Sequence, residues 1–238
     1  SRFRFTTVQT ALSVTGLASD GEVEDHEVVI TDEEQNLDFG DAWDVSGMPV
    51  YPTLLANNGA RHPYWPGIFM GSLIDTEVDG LPTFSADGDD LNNLDDEDGV
   101  ILPPILFAGA VTQVVVIANV PGYLDAWIDW NSNGSWAEPG EQVFNQQPLN
   151  PGANFLPLTV PMPPTLVPGG PLSRWRYSSV PTAVPSYSGP YFDGEVEDYE
   201  VFLEAVDFGD APSPYPTLIM DNGARHDVPT TPTIYLGA

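Results

Sequence analysis

The fold assignment rests on two stretches of sequence, SRWRY at Ser173–Tyr177 and DGEVEDYEVFL at Asp193–Leu203, because both recur in the chain. Their copies are SRFRF at Ser1–Phe5 and DGEVEDHEVVI at Asp20–Ile30. The two stretches keep the same order and nearly the same spacing in each copy. Internal repetition of this length is the first signal to use when a fold is inferred from sequence, and it predicts a repeat protein.

A second pair of matching stretches places the repeat boundaries. Leu37–Ser72 contains DFGDA and YPTLLANNGARH, and Val206–Ala238 contains DFGDA and YPTLIMDNGARH. The chain therefore has the pattern of one complete repeat between the end of a preceding repeat and the start of a following one. We expect four segments: the closing strands of the preceding repeat in residues 1–30, an acidic, loop-rich subdomain in 31–99, a β-sandwich in 100–203 and the start of the next repeat in 204–238.

The composition is strongly acidic, with 35 Asp and Glu against 6 Lys and Arg and a formal net charge of −29. Such a charge repels phosphate backbones and anionic lipids, so it excludes nucleic-acid binding. It also opposes compaction, and bound Ca²⁺ would relieve that cost. There is no cysteine and no lysine, which excludes disulfides, thiolate metal sites and Lys–Asn cross-links. No signal peptide or membrane-spanning stretch is apparent, and the absence of cysteine is compatible with a cell-surface location.

Residues 100–203 consist of short apolar segments separated by turn residues, without helical periodicity. This pattern predicts an all-β fold, a β-sandwich of the immunoglobulin-like or jelly-roll-like kind. The proline-rich stretch Pro161–Pro171 is expected to be a connection, since proline is excluded from central strands. In the acidic subdomain, Ile68–Ile74 is expected to form a short strand. The strands predicted for the sandwich are Val100–Phe107, Val111–Val120, Tyr123–Trp130, Glu141–Phe144, Phe155–Val160, Ser173–Val180 and Gly194–Leu203.

The motif DWNSNGSWAEPGE at Asp129–Glu141 is the clearest candidate for a metal site. Asp129, Asn131 and Asn133 occupy positions 1, 3 and 5 of an EF-hand-like loop, and a glycine stands at position 6. The acidic ligand of position 12 is missing, so a neighbouring glutamate has to replace it. The pattern predicts a Ca²⁺ site on a β-scaffold, with Asp129, Asn131, Asn133, Ser135, Glu138 and Glu141 as candidate ligands.

Two alternatives exist for this loop. Asn133-Gly134 is a strong turn signal, so a plain polar hairpin turn would also explain the motif. Asn133-Gly134-Ser135 matches the acceptor pattern for N-glycosylation, and a glycan on Asn133 would compete with a ligand role. Of the two roles for Asn133, we favour the ligand.

The run Asp87–Asp98 contains seven acidic residues and no basic one. Such runs are usually solvated segments, but this one is punctuated by glycines and flanked by apolar strands, which favours a loop wrapped around a cation. The candidate ligands in the run are Asp87, Asp89, Asp90, Asp95, Asp96 and Asp98.

The third acidic group lies in FDGEVEDYE at Phe192–Glu200. On a strand, Glu195 and Glu197 share one face, where their charges repel each other. Either a cation on Asp193, Glu195 and Glu197, or pairing with arginines across the sheet, would resolve the repulsion. The same alternation places Arg174 and Arg176 on one face of their strand and Trp175 and Tyr177 on the other.

DGEVEDY (Asp193–Tyr199), AWIDWNSNGSW (Ala126–Trp136) and the series DFGDA, YPTL, NGARH and DDEDGV resemble the GEVED family of domains. These domains occur in large secreted and surface-exposed multidomain proteins. The resemblance implies an extracellular, β-rich tandem repeat of an adhesin-like or fibre-forming chain that depends on calcium and has no enzymatic activity. Relatives often carry Asp in the turn loop, whereas this chain has Asn133, which lowers the charge of the ligand set.

Enzyme motifs find little support in the sequence. The DFG at Asp38–Gly40 belongs to the repeated stretch, and a kinase would also need a lysine, which the chain lacks. No nucleophile elbow is present. His62 and His226 lie in the repeated NGARH, where a His–Arg pair is expected to organise a turn.

We therefore expect a structural repeat of a Ca²⁺-stabilised surface fibre or adhesin whose partners are neighbouring copies of itself. The strands of Ser1–Ile30 lack a sandwich of their own, which raises the hypothesis of strand exchange between neighbouring units. The alternative is a carbohydrate- or protein-binding module that uses exposed aromatic residues such as Trp65, Trp130 and Trp136.

Overall fold

The computed structural model describes residues 2–7, 13–25, 36–45, 51–88, 96–161, 170–217 and 221–227. They belong to two compact units, residues 1–35 and residues 36–238. Asp89, Asp90 and Asp95 lie outside the described residues. The described strands are β1 (Arg2–Phe5), β2 (Glu22–Asp25), β3 (Leu37–Phe39), β4 (Arg61–Pro63), β5 (Val100–Ile101), β6 (Leu106–Phe107), β7 (Val111–Ala118), β8 (Gly122–Ile128), β9 (Gln142–Leu149), β10 (Gly152–Thr159), β11 (Leu172–Ser178), β12 (Glu195–Glu200), β13 (Leu203–Glu204), β14 (Val206–Phe208) and β15 (Arg225–Asp227).

Two sheets form the body of the larger unit. One has four antiparallel strands in the order β12-β11-β8-β9, and the other has three in the order β10-β7-β5. The prediction of an all-β, sandwich-like fold is confirmed. The only helix in the described residues is a single 3-10 turn at Leu55–Asn57, so none there could span a membrane.

One hydrophobic core lies between the two sheets. Val114 and Val116 of β7 and Leu158 of β10 contribute from one side, and Trp175 and Tyr177 of β11 contribute from the other. All five side chains are fully or almost fully buried. Because a buried side chain of this size contributes about 1.5–3 kcal/mol, this layer supplies a large share of the driving force for folding.

Two of the predicted strands are not observed as single strands. The segment Val100–Phe107 is divided into β5 and β6, because Pro103 and Pro104 lie between them and proline cannot donate a ladder hydrogen bond. The two halves also have different partners, since β5 pairs with β7 and β6 pairs in parallel with β13.

The strand predicted at Ile68–Ile74 is wrong. Only Met70 forms a bridge, with Ala118, and the residues around it are bends and turns. Gly71 explains the break, because its φ of 59° is left-handed and a strand cannot continue through it. A side chain at this position would also collide with the carboxylate of Asp98.

We call residues 37–88 the head, and its described residues, 37–45 and 51–88, cover the outer face of the four-stranded sheet. A small apolar cluster between the two includes Ala42 and Tyr51 of the head and Trp127 and Trp136 of the sandwich segment. The sheet is therefore covered on both sides, and every residue of β11 is buried. The predicted alternation in this strand is correct: its aromatic residues enter the sandwich core, and its arginines lie under the head.

The duplicated stretches form duplicated structures. We call residues 2–25 the tail hairpin and residues 172–200 the repeat hairpin. In the tail hairpin Arg2 pairs with Asp25, and in the repeat hairpin Arg174 pairs with Asp198, at the same register. Residues 206–227, which we call the second head, likewise pair β14 with β15 at the register of β3 with β4.

Candidate cation sites

The Asp129 loop begins directly after β8. Asp129 is buried, and its Oδ2 accepts hydrogen bonds from the Tyr51 hydroxyl at 2.6 Å and from the Gly134 N–H at 2.8 Å. Its Oδ1 accepts a bond from the Asn133 N–H at 3.2 Å. Hydrogen bonds from the head and from the loop itself thus fix the carboxylate of Asp129, the residue at the first ligand position.

The other loop residues form a chain of side-chain contacts. Asn131 Oδ1 accepts from the Asn133 N–H at 3.1 Å, and Asn133 Oδ1 accepts from the Ser135 N–H at 2.9 Å. The Asn133 amide donates to Glu138 Oε1 at 2.8 Å, and the Glu138 N–H donates to Glu141 Oε2 at 3.0 Å. The loop therefore brings the predicted oxygen donors into one neighbourhood.

Two carboxylates meet at the end of this loop. Burial, together with the adjacent Glu138 carboxylate, raises the pKa of Glu141 to about 8. Hydrogen bonds from Glu141 and Asn133 lower the pKa of Glu138. Glu138 Oε2 is buried and has no hydrogen-bond partner among the described residues. A cation bound by both carboxylates would offset the burial and the repulsion that raise the pKa of Glu141.

A second group of acids lies where the head, the acidic run and the repeat hairpin meet. The buried carboxylates of Glu195 and Glu197 are on the core-facing side of β12, opposite Tyr177 and Trp175 in the register. All of the acids in this group except Asp75 accept a described hydrogen bond from a backbone N–H of another segment. We call the group the interior acidic cluster, and it consists of Asp38, Asp75, Glu77, Asp96, Asp98, Glu195 and Glu197.

Backbone amides supply most of the hydrogen bonds to this cluster. Glu195 Oε2 accepts from the Met70 N–H at 2.5 Å, and Glu197 Oε1 accepts from the Gly99 N–H at 2.8 Å. Asp38 Oδ2 accepts from the N–H of Val196 at 2.7 Å. The remaining described bonds are donated by the Phe39 N–H to Glu77, the Asp75 N–H to Asp96, the Ser72 N–H to Asp98 and the Tyr199 hydroxyl to Glu197.

Burial, with a contribution from neighbouring carboxylates, raises the pKa values of three glutamates in this cluster. Burial and the charges of Glu197, Asp38 and Asp96 raise the pKa of Glu195 well above its usual value. Burial raises the pKa of Glu197 to about 8 and that of Glu77 to about 10. Glu195 Oε1 is buried and lacks a hydrogen-bond partner in the described part of the chain. Local hydrogen bonds therefore do not compensate these carboxylates fully.

Pairing of Glu195 and Glu197 with arginines, the alternative to a cation, does not occur. Arg174 binds Asp198 through a fully buried salt bridge of 2.6 Å on the opposite face of the sheet. Arg176 donates its Nε–H to His62 Nε2 at 3.1 Å. The two glutamates thus remain on a face without a described arginine contact.

Two other predicted ligands have structural partners. Asp193 accepts hydrogen bonds from the Ser178 hydroxyl at 2.6 Å and the Ser179 N–H at 3.0 Å, which closes the turn before β12. Asp87 accepts from the Thr83 hydroxyl at 2.7 Å. Among the described residues, no group of three or more histidine, cysteine or acidic side chains is arranged to hold a metal ion as it stands.

The sequence did not identify the role of His62. It is fully buried, its Nδ1 lies 2.6 Å from the Asp193 carbonyl oxygen, and its Nε2 faces Arg176. Burial and Arg176 lower the pKa of His62 well below its usual value. The expected His–Arg turn is wrong in detail, since Arg61 alone bonds the turn carbonyl of Gly59. The signal in the sequence that could have indicated a role for His62 is the recurrence of this histidine in both NGARH stretches.

Of the three tryptophans named for ligand binding, two are in the interior. Trp130 and Trp136 are buried, and their indole N–H groups donate to the carbonyls of Gly140 and Leu172. Trp65 is 47% exposed and stacks on Phe192 with 6.2 Å between ring centroids.

Comparison with known protein families gives a match within the sandwich segment. Residues 123–202 match the family model of the GEVED domain. This segment runs from β8 to β12, so it contains both the Asp129 loop and the Glu195–Glu197 pair. A comparison with curated proteins and one with solved structures gave no match. The family resemblance is therefore supported for this segment.

Proposed function

We propose that the chain is part of an extracellular structural protein, a Ca²⁺-stabilised surface fibre or adhesin built from tandem repeats, with no catalytic role. The observation that carries the proposal is the interior acidic cluster, in which three separate segments and the repeat hairpin bury carboxylates side by side. A fold that concentrates negative charge in this way gains stability when a divalent cation binds.

The donors of both acidic sites suit calcium. Carboxylate and amide oxygens are the ligands that Ca²⁺ prefers, and six to eight of them surround the ion in proteins. In the Asp129 loop, Asp129, Asn131, Asn133 and Glu138 or Glu141 would supply them. In the interior acidic cluster, Glu195 and Glu197 would be joined by Asp96 and Asp98. An ion there competes with the backbone hydrogen bonds that hold the carboxylates.

Calcium titration tests the proposal. We expect calcium near 100-fold above its dissociation constant to raise the melting temperature by about 5–10 °C, and excess EDTA to reverse the change. Isothermal titration calorimetry would give the number of ions, and Mg²⁺ would serve as a competing cation.

A matched pair of variants tests whether calcium stabilises the chain by binding at the interior acidic cluster. Glu195→Gln should reduce the calcium-induced stabilisation, because it removes one buried charged ligand. Glu22→Gln changes the same position of the tail hairpin, where the side chain is exposed, and should leave the stabilisation unchanged. If EDTA left the melting temperature of the wild-type chain unchanged, the calcium part of the proposal would be wrong.

The surface location is supported by the repetition, the acidic composition and the absence of cysteine. Labelling intact cells of the source organism with an antibody against residues 36–238 would test it. Staining that requires permeabilised cells would contradict an extracellular location.

A second candidate function is a carbohydrate- or protein-binding module. It is favoured by the exposed pair of Trp65 and Phe192, since stacked aromatic side chains on a surface can bind sugar rings or apolar side chains. A glycan array at fixed calcium would test it, with Trp65→Ala as the variant. Saturable binding lost in the variant would favour this function over a purely structural one.

A further inference from the structure

The tail hairpin reproduces the repeat hairpin in its local contacts. Arg2 binds Asp25 through Nε and NH2, both at 2.6 Å, as Arg174 binds Asp198. Arg4 donates to the carbonyls of Ser13, Thr15 and Gly16, which correspond to those of Ser186, Ser188 and Gly189 around Arg176.

The second head reproduces the first head in the same way. Arg225 donates to Asn222 Oδ1 and the Gly223 carbonyl, as Arg61 does to Asn58 Oδ1 and the Gly59 carbonyl. Asn222 and Asn58 both have positive φ values, of 50° and 57°. Both copies therefore have the geometry of their counterparts in the complete repeat.

In the complete repeat these two elements are docked on each other. Asp38 of the head accepts from the Val196 N–H, and the Ala42 N–H donates to Asp198 at 2.8 Å. Arg174 donates to the Thr53 hydroxyl at 2.7 Å and to the Pro52 carbonyl. Hydrogen bonds, a salt bridge and apolar contacts thus join the head to the repeat hairpin.

The corresponding surfaces of the copies are exposed. Val23 of the tail hairpin is 51% exposed, whereas Val196 at the same position is 2% exposed. The side chain of Arg2 is 46% exposed, whereas that of Arg174 is fully buried. In the second head, Asp207, Gly209 and His226 are exposed, and their counterparts in the first head are buried.

Gly209 indicates which kind of surface the second head can bind. At Gly40 of the first head, an added Cβ would lie 2.3 Å from Asp198 Oδ2 and 2.8 Å from Arg174 NH2, so glycine is needed for docking. At Gly209 the closest atom to an added Cβ is Thr217 Cγ2 at 3.9 Å, an ordinary contact. Nothing in the described surroundings of Gly209 requires a glycine, but a docked hairpin would.

We propose that the second head of one copy docks on the tail hairpin of a second copy of the chain, and reproduces the joint inside the complete repeat. Asp207 then accepts from the Val23 N–H, Arg2 meets Pro216 and Thr217, and Arg4 meets His226. The contact is heterologous, with different surfaces on the two partners, so it propagates head to tail. The inference deepens the proposed fibre, but it does not depend on calcium.

Sedimentation of the full chain in EDTA tests the docking. We expect the weight-average mass of the wild type to rise with concentration. Gly209→Val should weaken association on the order of 10- to 100-fold, because the added side chain meets Asp25 and Arg2. Val23→Glu, on the surface of the tail hairpin, should weaken association to a similar extent. Val184→Glu, at an exposed site outside both surfaces, should associate like the wild type.

Mixing the two blocked variants distinguishes head-to-tail docking from other association. Gly209→Val retains a functional hairpin and Val23→Glu retains a functional head, so an equimolar mixture should form dimers and nothing larger. A wild type that stays monomeric at all concentrations overturns the proposal, as does a Gly209→Val variant that associates like the wild type. Association in EDTA without any calcium binding would support docking and refute the calcium-dependent function.

Discussion

The repeat hairpin and the tail hairpin share their register, their Arg–Asp pair and their arginine-bound loop, but they differ in what surrounds them. Trp175 and Tyr177 are fully buried, whereas Phe3 and Phe5 at the same positions are 61% and 67% exposed. Local sequence thus suffices to specify the hairpin and its loop. The head and the sandwich supply burial, and burial turns the same contacts into contributors to stability.

The largest expected difference concerns the arginine pair. Arg174→Ala leaves the Asp198 carboxylate buried without its cation, so we expect a loss of about 3–5 kcal/mol in the free energy of unfolding. Arg2→Ala, at the equivalent exposed pair, should cost less than about 1 kcal/mol. Amide hydrogen exchange as a function of urea concentration measures both, because the tail hairpin contains no tryptophan that could report its unfolding. Equal losses in the two variants would mean that burial does not separate the hairpins.

The next prediction concerns pH in calcium-free solution. The pKa of Glu197 is raised from 4.5 to about 8 and that of Glu77 to about 10, so the folded chain holds protons that the unfolded chain has released. The contribution of these two glutamates to stability is therefore fully present below pH 4.5 and is lost as the pH rises through their folded pKa values. We expect the melting temperature to fall by on the order of 10 °C between pH 5 and pH 9.

Two glutamine variants sharpen this pH prediction. Glu197→Gln should reduce the fall of the melting temperature with pH. Glu24→Gln, at the equivalent, exposed position of the tail hairpin, should leave it unchanged. Because the pKa of His62 is lowered, this residue makes stability rise with pH below about pH 6.5. It is a single group, whereas several glutamates make stability fall with pH. A melting temperature that rises with pH would contradict the raised carboxyl pKa values.

A smaller difference is expected at the two glycines. Gly40→Ala forces the Arg174–Asp198 pair to move, and overpacking of this kind costs about 1–3 kcal/mol. Gly209→Ala meets only an ordinary contact and should change the stability of the monomeric chain by less than about 0.5 kcal/mol. Thermal unfolding at low protein concentration makes the comparison. A similar loss at both glycines would show that the second head is already packed like the first.

The smallest effect concerns a residue that the hairpins do not share. Phe192 precedes the turn of the repeat hairpin and stacks on Trp65, whereas Ser19 stands at this position in the tail hairpin. Phe192→Ser should cost about 0.5–1.5 kcal/mol, the usual contribution of an aromatic pair. Trp65→Ala and the double variant complete the thermodynamic cycle. Full additivity of the two losses would show that the stacking contributes nothing.

Sequence patterns predict what depends on neighbouring residues. The strands, the sandwich and the two faces of SRWRY follow from period-two alternation and turn residues. The interior acidic cluster does not, because the bond between Glu195 and Met70 joins residues 125 positions apart. Nor does the pairing of His62 with Arg176, which are 114 positions apart. The strand wrongly expected at Ile68–Ile74 satisfied the local apolar pattern, but it did not account for the left-handed Gly71.

The packing of β3 against β12 has a mechanical consequence. The first strand of the repeat, β3, contacts its last long strand, β12, through the hydrogen bond from the Val196 N–H to Asp38. In the proposed fibre of such repeats, tension would reach the head through β3 before it reached the core between the two sheets. Release of the head's roughly fifty residues, at about 3.3 Å each, lengthens the repeat by on the order of 150 Å while both sheets stay folded. Each repeat of the proposed fibre would then be an element that lengthens under load.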